Sequence, residues 1–200
     1  MRAIGSCLYI AVVLGISAQA LPAGEGKDAA PFGLEWGESV AQAHALGMDL
    51  QELPTNDFGN SYSATRLPKV IADVRTVALS FGYGDKLWRI AAVSKDFAND
   101  PYGAAIRARY NELSRVLAGK YGQGISHHHD VQNGKDENFL MYVVTGRAWH
   151  YTDYETKRIK IQVLIRATDV TTGYYMIIFK NKRLEAEFDR DKKAREKDAL

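Results

Sequence analysis

Residues 158–167 carry Ile159, Ile161, Val163 and Ile165 at every second position, with Arg158, Lys160, Gln162 and Arg166 among the residues between them. Successive side chains of a strand point to opposite faces, so this pattern commits the segment to a strand with one face buried and the other different in chemistry. Such a strand is stable only as part of a sheet that packs against something. Its neighbours supply that sheet. Residues 149–155 and 174–180 read as strands joined to it by a tight turn near Thr156 and by the loop 168–173, which predicts an antiparallel meander.

A second set of strands lies upstream. Val77, Leu79 and Phe81 alternate with Thr76, Ala78 and Ser80, then Gly82-Tyr83-Gly84-Asp85-Lys86 leads into 87–94, the signature of a hairpin. Residues 49–53 and 61–67 read as further strands, set off by Pro54, the cluster 56–60 and Pro68. A short strand is also expected over Phe32 to Trp36, where apolar residues alternate before Gly37.

Helices separate the two sets. Ser39 and Gln42 have capping-box spacing and Gly47 is placed to end the helix they begin. Asp100-Pro101 should open the longest helix, with Asp100 as its N-cap; Ile106, Tyr110, Leu113 and Leu117 then form one apolar stripe up to Tyr121-Gly122. Residues 122–135, including His127-His128-His129, read as a polar loop, and 136–145 as a shorter helix. The fold class expected is therefore α+β: an antiparallel sheet in two βββ-like halves with helices packed on one side, a two-layer sandwich.

The ends have a different character. Met1 and Arg2, an apolar run from Ala3 to Ile16 and Ala18-Gln19-Ala20 make residues 1–20 a cleaved signal peptide, with Leu21 the first mature residue. The run is shorter than the ~20 apolar residues of a membrane span. Cys7, the one cysteine, leaves with it, and Ile4-Gly5-Ser6-Cys7 comes too early for a lipobox. Residues 21–30 are a flexible leader, 31–183 a single α+β domain and 184–200 a charged C-terminal helix or tail docked through Leu184 and Phe188. Without Arg2 the chain has 25 basic and 24 acidic residues, too balanced to concentrate nucleic acid. The expectation is a periplasmic protein with no nucleic-acid partner, no membrane span and no lipid anchor.

Phe32-Gly33-Leu34-Glu35-Trp36-Gly37-Glu38-Ser39-Val40, with Ala43, Gly47, Arg109-Tyr110-Asn111-Glu112-Leu113, Lys120-Tyr121-Gly122 and Lys197-Asp198-Ala199-Leu200, resembles small exported bacterial proteins of unassigned function that open on F-G-L-x-W-G-x-S. Residues 36–47 are more loosely similar to the helix-opening motif of SmpA/OmlA-type envelope lipoproteins and of β-lactamase-inhibitor-protein-like domains. The resemblance implies helices against a small antiparallel sheet and names no site.

Three readings of function follow. In the first, the chain is an exported, noncatalytic protein that binds an unidentified envelope protein as an inhibitor, immunity factor or assembly partner. The outward side of the final meander would carry it, through Tyr154, Arg158, Lys160, Arg166, Tyr174, Met176 and Lys180, a mixture of aromatic, thioether and cationic groups that interface cores favour. In the second, the histidine-rich segment binds a metal or small ligand. Only His127 and His129 point the same way on an extended backbone, with Asp130 or His150 as possible additions, so no metal is favoured. In the third, the chain is a hydrolase without a recognisable signature: there is no Gly-x-Ser-x-Gly elbow, no His-Glu-x-x-His and no phosphate-binding glycine loop. No cofactor is called for. Trp36, Trp88 and Trp149 are expected to anchor the core.

Overall fold

A computed structural model describes residues 29–54, 57–129 and 138–199 of the chain. The signal peptide and most of the leader expected over 1–30 lie outside these residues. The core is built on one eight-stranded antiparallel sheet: β1 (Asp49–Glu52), β2 (Asn60–Thr65), β3 (Val74–Gly82), β4 (Arg89–Ser94), β5 (Ile125–His129), β6 (Trp149–Glu155), β7 (Ile159–Ala167) and β8 (Gly173–Asn181). Their spatial order is β1-β2-β3-β4-β8-β7-β6-β5. Two four-stranded meanders thus meet back to back, with Ile90 opposite Phe179 and Ala92 opposite Ile177 at the seam. The second half holds one strand, β5, more than the three expected there.

Four helices accompany the sheet: α1 (Val40–Ala45), α2 (Ala104–Tyr121), α3 (Phe139–Val144) and α4 (Lys182–Asp198). The stripe Ile106, Tyr110, Leu113 and Leu117 of α2 is buried together with Ile161, Val163, Ile165, Tyr175 and Ile177, so one face of β7 and β8 is the core, as the alternation requires. Each such apolar side chain contributes roughly 1.5–3 kcal/mol by its removal from water. Phe32, Leu34, Trp36, Ala43 and Met48 join the same cluster with Val77, Leu79 and Phe81 of the other half. The result is the expected α+β two-layer sandwich.

Local chemistry explains where elements begin and end. Ser39 and Gln42 form the expected capping box at α1, and Gly47 ends that turn at φ +83° with its amide on the His44 carbonyl. The opening Phe32 to Trp36 segment differs from expectation. Pro31 starts a 3-10 turn, Pro31–Gly33, in which Phe32 adopts φ +61°, and Leu34 closes the turn onto the Pro31 carbonyl. Burial of all three apolar side chains survives, but by a turn and not by a strand.

The start of α2 also differs. Asp100 to Gly103 forms a turn, closed by the Gly103 amide on the Asp100 carbonyl, and the helix begins at Ala104. Asp100 still caps it: its carboxylate accepts from the amides of Ala104, Ala105 and Ile106 at 2.8, 3.0 and 3.2 Å. Gly103, at φ +66°, lies so close to α3 that a Cβ there would sit 2.2 Å from the Phe139 ring. The helix expected over 136–145 is α3; its first two residues lie outside those described. Helix α4 docks as expected through Leu184 and Phe188, the Phe188 ring stacking on Trp88 at 4.6 Å and on Tyr83 at 5.3 Å. Among the described residues no helix is long and apolar enough to cross a membrane.

Candidate functional site: the outer face of the sheet

Helices α2 and α3 cover one face of the sheet, and the opposite face presents its side chains in cross-strand rows. One row runs His127, Tyr151, Leu164, Met176, Val93 and Thr76 across six strands, each residue opposite the next. A second runs Asp153, Gln162, Ile178, Ala91 and Ala78. A third runs Glu155, Lys160, Lys180, Arg89 and Ser80. Directly opposed side chains interact across a strand pair, so each row is a continuous stripe of one chemistry: aromatic and apolar, then mixed, then charged.

The apolar stripe is partly closed by its own members. Leu164, between Tyr151 and Met176, is buried although it stands outside the core cluster that the helices cover. Beyond it, Arg166 stands opposite Tyr174. Trp149 projects at the far edge of the same face, 44% exposed, with its ring stacked on His129 at 4.3 Å. It is not the core anchor expected; Trp36 and Trp88 are.

The histidines are in a strand, not a loop. Residues 125–129 form β5, the edge of the sheet, held by stacking of His127 on Tyr151 at 4.5 Å and of His129 on Trp149. These pairings come from a strand more than twenty residues away, which is why local sequence reads only polarity. His127 and His129 share the outer side as expected, and His127 Nε2 lies 3.5 Å from Asp153. His128 points inward, its Nδ1 3.0 Å from Nδ1 of His150, so one ring donates and the other accepts. Asp130 lies outside the described residues. Among the described residues no group of three His, Cys, Asp or Glu is placed to share a metal.

Of the seven expected partner residues, Arg166, Tyr174 and Met176 come together on the outer face, and Lys160 and Lys180 lie side by side on its charged row. Arg158 stands at the turn that leads into β7 and is exposed. Tyr154 is a correction. It pairs with Ile161, shares the core face, is buried, and donates its hydroxyl to the Ser114 carbonyl of α2 at 2.9 Å.

Lys160 and Lys180 are also not simple solvent-facing cations. Both donate to Glu185 in the first turn of α4, at 3.0 and 2.8 Å, and so clamp the helix to the end of β7 and β8. Burial pushes the Glu185 carboxyl up, but the two lysine hydrogen bonds outweigh it and hold the group below the usual carboxylate range. The hydrogen bond to Glu185 in turn raises Lys160. Arg89 and Phe58 were missed by sequence reasoning. The alternation of β4 alone placed Arg89 opposite the Ile90 side, and no local signal marked its burial.

Compared with known proteins, this chain matches no family model, no curated protein and no solved structure.

Proposed function

We propose that this chain is an exported, noncatalytic protein of the bacterial periplasm that binds another envelope protein, as an inhibitor, immunity factor or assembly partner, on the outer face of its sheet. The observation that carries the reading is the outer-face stripe Tyr151, Leu164, Met176 and Val93 flanked by Arg166 and Tyr174. A solvated sheet face is ordinarily polar; here the middle of the face is aromatic and aliphatic, with charges at its margin, the anatomy of an interface core and rim. Eight strands spaced by ~4.8 Å, each giving about six residues at ~3.3 Å, offer a surface on the order of 700 Å², close to what one partner contributes to a standard interface. The signal peptide expected over residues 1–20 supports export.

Arg166→Glu tests it. Arg166 is exposed, and the reversal should change stability by no more than about 0.5 kcal/mol, checked by urea denaturation. Capture of the partner from envelope extract should weaken, because a carboxylate replaces the rim cation. Unchanged capture by a normally stable variant would reject the surface.

A further inference from the structure

The charged row of the outer face ends in a groove of about 410 Å³ against Phe58. Arg89 lines it from the centre of the sheet. The residue is 8% exposed and its guanidinium lies 3.9 Å above the Phe58 ring, yet its buried Nε donates to no acceptor and no carboxylate among the described residues pairs with it. An arginine is seldom buried without a partner, because taking the cation out of water costs several kcal/mol. The other charges around the groove are already engaged. Lys160 and Lys180 share Glu185, Glu155 accepts from Lys182 at 2.6 Å, and Asp153 accepts from Gln162 at 2.9 Å. One buried cation therefore faces this space with no carboxylate of the described residues to balance it.

We propose that the groove binds an organic monocarboxylate, its carboxylate on the Arg89 guanidinium and its apolar body between Phe58 and Ile178. The planar guanidinium matches a carboxylate with two parallel hydrogen bonds. The volume lies within the ~300–1,000 Å³ of small-molecule sites and far exceeds the space of one water. A single negative charge is required, since Asp153 and Glu155 on the far wall repel a second. The site goes beyond the protein-binding reading and stands without it: Arg166, Tyr174 and Met176 take no part.

The purified chain is titrated with sodium benzoate and, separately, with inorganic phosphate, following the Arg89 Nε–H resonance by NMR and the heat by calorimetry. Benzoate should bind saturably, move that resonance, and bind more tightly than phosphate. Arg89→Met should weaken benzoate by at least about tenfold, the loss of charged hydrogen bonds. It exchanges an unpaired buried cation for an apolar chain of similar reach, and its fold is checked by thermal melting. Ile178→Trp keeps Arg89, fills the groove and should weaken benzoate likewise, so the test holds even where Arg89→Met does not fold. No saturable benzoate binding, benzoate binding unchanged in the variants, or phosphate binding as tight as benzoate would each overturn the proposal.

Discussion

At the scale of single residues, one pairing that joins the two halves away from the strand seam is Arg109 of α2 with Asp73 at the head of β3. Arg109 donates from Nε at 2.7 Å and from Nη2 at 2.9 Å to the two oxygens of Asp73, a two-pronged bond with about a quarter of each side chain exposed. The hydrogen bonds from Arg109 hold the Asp73 carboxyl below the usual carboxylate range. A carboxyl depressed in the native state contributes stability above its unfolded value of about 4, and that contribution is lost as pH falls through the lower native value. Asp73→Asn should therefore cost about 1–2 kcal/mol at pH 7, and the gap from wild type should close on acidification below about pH 4 in urea denaturation. A gap that stays constant down to pH 2 would mean that the charge of Asp73 contributes nothing. Burial, with the Asp73 carboxylate second, pushes the neighbouring Tyr175 phenol up, so it stays neutral throughout this range.

At the scale of elements, the approach of α2 to α3 depends on two residues with opposite sensitivities. Asp100→Ala removes the carboxylate that caps three amides and should cost about 1–2 kcal/mol. Gly103→Ala places a Cβ 2.2 Å from the edge of the Phe139 ring and forces a left-handed residue, and should cost more, about 3 kcal/mol; thermal melting of the two variants would rank them, and equal melting points would contradict the packing. Asp100 was legible in the sequence as a cap, but the three-residue offset to Ala104 was not, because the turn ending at Gly103 is fixed by Phe139 from a different helix. Strands β3 and β7 were legible because their two faces differ sharply in polarity. Strand β6 was legible as a strand but not in its facing: Trp149 and Tyr151 lie on one side and His150 and Tyr154 on the other, so both sides carry rings and only the pairing with β7 decides. That ambiguity put Tyr154 outside and Trp149 inside. Strand β5 offered no apolar signal beyond its first residue, Ile125, since its histidines are held by rings of β6.

At the scale of the whole molecule, the two meanders and their leading helices repeat one arrangement about the β4–β8 seam. Among the described residues α2, α3 and the opening turn pack on one side of the sheet, and α4 borders the second face through Glu185. The nearly even balance of charges gives little long-range attraction, so recognition on that face rests on its apolar stripe and the charges beside it. The most direct measurement of this account is site-specific photo-cross-linking in intact cells, with a benzophenone side chain placed at Tyr174 or Met176 on the face and at Glu196 on the exposed end of α4. A discrete adduct with one envelope protein from Tyr174 and Met176, absent from Glu196, is the result expected; no adduct from the face, or the same adducts from all three positions, would contradict it.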